Sequence, residues 1–137
     1  MVPLPYQAYA RAQATTSSQG ELLILLYRGA ARFAAKARLQ IGAGEIEGAH
    51  NSLVRSQDIV LELIGGLKPN GDLVVDNLCR VHRYVYSLLR EANLRKEVRP
   101  IDDAIRQLRD LLATWEQIVM PGLGAGAGRV VSIDRLC

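Results

Sequence analysis

The stretch of sequence that decides the fold is PIDDAIRQLRDLLATWEQIV, which occupies residues 100–119. Pro100 suits a first helical turn, where no backbone N–H is required, and Asp102 and Asp103 suit the positive end of a helix dipole. The apolar side chains of this stretch recur by steps of four and three. They are Ile101, Ile105, Leu108, Leu112, Trp115 and Val119. The pattern therefore predicts a helix that buries one face against other helices.

Three earlier segments show the same helical period, at about residues 18–41, 45–66 and 72–93. In the first of them, Ser18 and Glu21 have the spacing of a capping box, which starts a helix. The predicted core face of this helix consists of Leu22, Leu26, Gly29, Phe33, Ala37 and Ile41. The connections between the segments are only a few residues long, so consecutive helices should lie antiparallel. We expect an all-α protein, an antiparallel up-down four-helix bundle without strands.

Length and composition divide the chain into one domain and two ends. The 137 residues suffice for a single core, and 49% hydrophobic against 23% charged residues is ordinary for a globular protein. Residues 1–17, which include two prolines, are predicted to form an irregular N-terminal arm, and residues 18–119 the bundle. Residues 120–137 hold four of the twelve glycines and are predicted to be a flexible tail.

Cysteine content and hydropathy indicate the compartment. The two cysteines, Cys79 and Cys137, make no disulfide framework, which fits a reducing environment. The densest apolar run, residues 22–27, is far too short to span a bilayer, and the first residues lack the apolar run of a signal peptide. We expect a cytoplasmic protein that does not insert into membranes.

Two pairs of side chains have the spacing of metal ligands, but neither completes a site. Glu47 and His50 form a Glu-x-x-His unit, yet a di-iron bundle needs a second such unit and two further carboxylates. Cys79 and His82 would supply two zinc ligands where three or four are needed. We expect no metal and no cofactor.

Signals for catalysis or nucleic-acid binding are weak. The glycines between residues 122 and 128 lack the strand and the helix of a phosphate-binding loop, and no local signature marks a catalytic nucleophile. The net charge of +3 comes from 17 basic and 14 acidic residues spread along the chain. Arg80, Arg83 and Arg90 are more typical of a solvated helix face than of a nucleic-acid site. We expect neither an enzyme nor a nucleic-acid-binding protein.

The second and third helices carry more apolar side chains than one buried stripe requires. The additional ones are Val54, Ile59, Leu61, Ile64, Leu73, Val75, Cys79, Tyr84, Tyr86 and Leu89. Two interpretations of this surplus remain open. The side chains are scattered over the surface, as in every protein, or they form a groove that receives an amphipathic segment of another chain.

Several short segments of the chain occur in a familiar order. The first block has Tyr9 in the arm, then Thr16-Ser17-Ser18, then ELLILLYRGA at residues 21–30. The second block consists of Asn77-Leu78, Tyr84, Ala92-Asn93-Leu94 and Ala113-Thr114-Trp115. Together they resemble the FliS family, the cytoplasmic chaperones of flagellin export, over about residues 6–119. The sequence departs from that family's usual Ser-Pro pair at Ser18-Gln19 and from its usual acid at Arg28.

The resemblance implies a function and a site. FliS proteins are antiparallel four-helix bundles that bind the C-terminal segment of new flagellin, prevent its premature polymerisation and deliver it to the flagellar type III export gate. The groove residues expected by this resemblance are Ile59, Leu63, Ile64, Leu67, Val74, Asn77, Leu78, Tyr84 and Asn93. The two asparagines are expected to bond the guest's backbone, while Tyr6 and Tyr9 belong to an arm that covers part of the binding surface. The alternative is a structural bundle that dimerises through the same apolar faces and has no flagellar guest.

Overall fold

In the computed structural model, residues 19–119 are described and form four helices. The helices are α1 (Gln19–Gly42), α2 (Ile46–Gly66), α3 (Leu73–Arg95) and α4 (Val98–Val119). No strand occurs between residues 19 and 119. The all-α prediction is therefore confirmed. The predicted N-terminal arm, the Ser18 cap and the Gly-rich tail lie outside the described residues.

Local signals in the sequence set the helix boundaries. The carboxylate of Asp72 caps α3 by accepting a hydrogen bond from the backbone N–H of Val74 at 2.9 Å. α3 ends where Lys96 takes the left-handed conformation, with φ of 53°. α4 begins at Val98, two residues before Pro100, because a proline is tolerated throughout the first turn, where N–H groups have no intrahelical acceptor.

Contacts between helices fix their relative directions. Arg28 of α1 pairs with Glu116 of α4 at 2.9 Å, and Arg38 pairs with Asp102, so α4 runs opposite to α1. α2 and α3 are also antiparallel. His50 near the start of α2 bonds Asn93 near the end of α3, and Cys79 of α3 bonds Leu67, which follows the end of α2. Each helix packs against two neighbours, so that the four follow one another around a ring. The bundle is therefore up-down with antiparallel neighbours, as predicted.

The core face of α1 differs from the predicted stripe. Leu22, Leu26 and Phe33 were expected inside but are only half-buried. The buried residues of α1 are Ile24, Tyr27, Ala30, Ala31, Ala34 and Ala37. Because alanine side chains are small, α2 and α4 approach α1 closely from both sides, and the larger apolar side chains lie along the edges of the contact. The size of the core residues, and not only their period, decided the orientation of this helix.

Part of the apolar surplus on α2 and α3 belongs to the core. Ile59 and Cys79 are buried, with exposed fractions of 2% and 4%. Leu61, Leu73 and Tyr84 instead remain 46%, 70% and 49% exposed. Part of the surplus therefore belongs to the core, which neither interpretation predicted, and the exposed side chains contribute to the surface of the bundle.

Candidate functional site

An apolar groove of about 380 Å³ opens at one end of the bundle. It lies between the first turns of α1, the end of α2, the start of α3 and one residue near the end of α4. Its lining consists of Gln19, Leu22, Leu23, Leu26, Glu62, Leu63, Gly66, Leu67, Val74, Val75, Leu78 and Trp115. Among these described residues Glu62 alone is ionisable. Such a groove suits the apolar side chains of a partner, with one charge to orient it.

The groove is open on one side because α2 ends in glycine. A Cβ atom added at Gly66 would meet no other atom within 4 Å. The next residue, Leu67, has an extended backbone and ends α2. Its carbonyl oxygen accepts a hydrogen bond from the thiol of Cys79 at 3.2 Å. The side chain of Leu67 is therefore held at the edge of the groove by a contact with α3.

The connection between α2 and α3, residues 67–72, is fixed by its own hydrogen bonds. The carboxylate of Asp76 accepts bonds from the backbone N–H groups of Asn70 at 2.9 Å and Gly71 at 3.3 Å. Gly71 has φ of 90°, a conformation that glycine adopts without the steric cost of a side chain. These bonds position the first turn of α3, where Val74 faces the groove.

A second glycine brings α1 and α4 together beside the groove. A Cβ atom added at Gly20 would lie 2.5 Å from Cγ2 of Val119 and 3.6 Å from the ring of Trp115. No side chain fits at Gly20 without displacing Val119. The close approach of the two helices places the Trp115 ring in the lining of the groove.

A buried polar pair lies beside the groove, one residue along the chain from Leu26 and one helical turn from Leu78. Tyr27 Oη and His82 Nε2 are 2.8 Å apart, and the exposed fractions of the two residues are 0% and 1%. Burial raises the pKa of the Tyr27 hydroxyl and lowers the pKa of His82 to about 4, because each charged form would lose its hydration. Both side chains are therefore neutral near pH 7.

One buried nitrogen beside the groove, Nδ1 of His82, has no hydrogen-bond partner within residues 19–119. A buried polar group without a partner costs roughly 1–3 kcal/mol of stability.

Four of the nine sequence-predicted groove residues line the observed groove: Leu63, Leu67, Val74 and Leu78. Ile59 lies in the core instead, where its Cδ1 would be 3.3 Å from a Cβ added at Gly29. Ile64 is half-buried against the core. These positions follow from the helical period, since the groove occupies only the last turns of α2.

The two predicted asparagines and Tyr84 lie away from the groove lining. Asn77 accepts a hydrogen bond from the guanidinium of Arg80, and Tyr84 is half-exposed farther along α3. Asn93 lies at the opposite end of the bundle and is engaged internally. Its Oδ1 accepts bonds from His50 Nδ1 at 3.1 Å and from Lys96 Nζ at 2.8 Å.

Sequence reasoning missed most of the groove wall formed by α1 and α4. The missed residues of this wall include Leu22, Leu23, Leu26 and Trp115. One signal was present, since the run ELLILL at residues 21–26 is apolar on more than one side of a helix. The period alone does not show which helix ends meet, so the contribution of α1 and α4 required the three-dimensional arrangement.

A second concave surface lies between α1 and α4. Ala35 and Ile105 form its floor, and charged side chains surround them. Arg38 pairs with Asp102 at 2.5 Å, and Arg106 pairs with Asp103 at 2.6 Å. These pairs are exposed, so solvent screens the attraction and each contributes little to stability. The paired charges on this surface neutralise one another and are solvated.

The side chains with metal-ligand spacing have other partners. His82 bonds Tyr27, His50 bonds Asn93, and Cys79 bonds the carbonyl of Leu67. Within residues 19–119 no three His, Cys, Asp or Glu side chains cluster as they would around a metal ion. None of the four described helices is both long and apolar enough to cross a membrane.

Comparison with known proteins identifies the family. A family model described as flagellar protein FliS matches residues 2–122, which is most of the chain. The chain belongs to the FliS family. Three relatives that carry the name flagellar secretion chaperone FliS agree with this assignment.

The relatives come from distant bacteria. The protein from Campylobacter jejuni is 32% identical over 116 residues, which cover 84% of this chain and 91% of the relative. The Bacillus subtilis protein is 27% identical over 84% of this chain and 86% of its own length. The Salmonella typhimurium protein is 27% identical over 75% of this chain and 78% of its own length. The resemblance to FliS is therefore confirmed, and the chain is a member of a family of flagellar secretion chaperones.

Proposed function

We propose that this FliS-family chain is an export chaperone that binds the C-terminal segment of flagellin in the apolar groove. It keeps flagellin from polymerising in the cytoplasm and delivers it to the flagellar export apparatus. The observation that carries the proposal is the open groove of about 380 Å³, in a chain whose relatives are named flagellar secretion chaperones. A chaperone of this kind needs a surface that binds apolar side chains without catalysing a reaction.

The energetics of the groove suit a guest segment that folds as it binds. Ordering a disordered segment costs about 2–5 kcal/mol. At about 25 cal/mol for each Å² of apolar surface buried, roughly 200 Å² offsets the upper value. The groove residues that we propose as direct contacts are Leu63, Leu67, Val74 and Leu78, together with Trp115.

The remaining predicted residues have different proposed roles. Ile59 lies in the core and Ile64 packs against it, so these two residues would support the bundle around the groove. Tyr84 and Asn77 would extend the contact along the exposed surface of α3. A backbone bond from Asn93 to the guest would have to replace its bonds to His50 and Lys96.

The arm that contains Tyr6 and Tyr9 precedes Gln19, which itself lines the groove. We propose that the arm covers part of the groove until flagellin displaces it. Deleting residues 1–15 should then strengthen guest binding or leave it intact. A large loss of affinity would show that the arm contacts the guest instead.

A titration with flagellin tests the main proposal. The full-length protein should bind flagellin from the same organism and lose most of its affinity when the C-terminal segment of flagellin is removed. The substitution Leu67→Asp should weaken binding at least tenfold, because about 1.4 kcal/mol or more of apolar contact is lost. Leu94→Asp provides the matched control, since Leu94 is 76% exposed at the opposite end of the bundle.

Two results would contradict the proposal. One is equal binding of flagellin with and without its C-terminal segment. The other is a stable dimer, detected by light scattering, that flagellin does not change; this result would support the structural bundle that dimerises through exposed residues such as Leu61 and Leu73.

A further inference from the structure

The groove opens at the end of the bundle where α4 finishes. Val119, the last residue of α4, lies against Gly20, and the neighbouring Gln19 lines the groove. Trp115, one turn before Val119, also lines it. The chain therefore leaves α4 within about one helix diameter, roughly 10 Å, of the groove.

The sequence beyond α4 has two parts. Residues 120–128 read MPGLGAGAG, with a glycine at every second position from 122 onward. Residues 129–137 read RVVSIDRLC, a more apolar segment with both charges. Val130, Ile133 and Leu136 in it are three residues apart, a step that keeps side chains near one face of a helix. This spacing is the one expected of a segment that binds an apolar groove.

The linker is long enough for this segment to reach the groove. Ten residues lie between Val119 and Val130, and the eleven extended steps from one to the other span up to about 36 Å. The required distance is much shorter. Tethering through a short linker corresponds to a local concentration on the order of millimolar. Even a segment with weak intrinsic affinity would therefore occupy the groove for a substantial fraction of the time.

We propose that residues 129–137 of this chain dock in the groove and compete there with the guest. The regulatory part of this proposal rests on the proposed function, whereas the docking itself does not. The apolar side chains of the segment, Val130 and Ile133 among them, would contact the apolar lining that includes Leu23 and Leu67.

Docking has two consequences for the chaperone. It shields apolar lining from water when no guest is present, which lowers the tendency to associate non-specifically. It also reduces the apparent affinity for a guest in proportion to the fraction of molecules in which the groove is free. For a segment whose own dissociation constant lies at or below the local concentration, this reduction is about two- to tenfold.

Docking can be measured without flagellin. A nitroxide attached to Cys137 of the full-length protein should broaden the NMR signals of the Leu23 and Leu67 methyl groups and leave those of Leu94 sharp. Cys79 is 4% exposed and should stay unlabelled, which mass spectrometry verifies. The double substitution Ile133→Asp and Leu136→Asp should abolish the broadening.

The control is a double substitution with the same added charge in the linker, Ala125→Asp and Ala127→Asp, which should retain the broadening. The docking proposal is overturned if the nitroxide broadens no groove signals, or if it broadens Leu94 as strongly as Leu67. If the nitroxide broadens no groove signals while Tyr6→Asp with Tyr9→Asp shifts them, the arm is the sole occupant of the groove and docking of residues 129–137 is overturned.

Competition with a guest is tested separately. The Ile133→Asp and Leu136→Asp variant should bind the C-terminal segment of flagellin about two- to tenfold more tightly than the parent, with the linker control unchanged. Unchanged or weakened binding by this variant would overturn the competition. If the parent binds no flagellin at all, the function proposed above fails, while the nitroxide experiment still decides whether the segment docks.

Discussion

The two ends of this bundle are built differently. At the end with the α1–α2 and α3–α4 connections, polar side chains bond one another: His50 and Lys96 donate to Asn93, and Ser52 donates to Gln40 at 2.6 Å. At the other end, leucines and valines line an open groove, and the buried Nδ1 of His82 lacks a partner among the described residues. The first end closes the bundle with satisfied hydrogen bonds. The second leaves apolar side chains uncovered in the described part of the chain.

The largest effect that we expect from this difference concerns pH. His82, near the groove, has a pKa of about 4 in the folded protein against 6.5 for an ordinary histidine. Because the folded state binds its proton less readily, this contribution to stability is complete above pH 6.5 and is lost as pH falls toward 4. The free energy of unfolding should decrease by about 3 kcal/mol between pH 7.5 and pH 4 from this residue alone.

Urea unfolding at a series of pH values measures this loss. The variant His82→Leu has no group to titrate there, so the parent should lose about 3 kcal/mol more than the variant over the same range. If the parent and His82→Leu curves run parallel, burial of His82 does not control the acid response.

The next largest expected effect comes from replacing one of two glycines that lie at opposite ends of the bundle. Gly66 and Gly42 each end a helix, and a Cβ atom added at either meets nothing within 4 Å. Replacing either with leucine should raise the free energy of unfolding by up to about 1 kcal/mol, since leucine is the better helix former. Only Gly66→Leu places a side chain in the groove, and it should weaken guest binding about tenfold.

Calorimetric titration with flagellin, together with thermal unfolding of both variants, checks this comparison. Gly42→Leu serves as the control for helix propensity. Equal guest affinity for the two variants would show that the guest binds elsewhere on the bundle.

The smallest effect concerns the closed end. Asn93→Ala removes the acceptor of His50 and Lys96, and it should lower the free energy of unfolding by about 1 kcal/mol without changing guest affinity. Asn77→Ala, whose partner Arg80 is exposed, should change stability less. A loss of guest affinity in Asn93→Ala with unchanged stability would instead assign this asparagine to the guest.

The sequence predicted the helices better than it predicted the groove. The steps of three and four along residues 101–119 reflect a property of one helix in isolation, so α4 was predicted with its correct end. The core face of α1 was predicted wrongly because the stripe from Leu22 to Ile41 was chosen over the alanines that allow close packing. Periodicity identifies apolar faces, but the volume available between helices decides which face is buried.

The groove was predicted in part for a similar reason. The surplus on α2 and α3 pointed to Leu63, Leu67, Val74 and Leu78, because extra apolar residues on one helix are visible in the sequence. Trp115 was assigned to the core, and its place in the lining depends on how closely α4 approaches Gly20. That distance is set by contacts between residues 95 positions apart in the sequence.

The hydrogen bond from the Cys79 thiol to the carbonyl of Leu67 makes the reactivity of this thiol a measure of local opening. Because Cys79 is 4% exposed, a thiol reagent can react with it only when the end of α2 separates from α3. The rate of modification therefore reports how often this side of the groove opens. A guest seated against Leu67 should slow that rate, so the reactivity of a native cysteine also reports whether the groove is occupied.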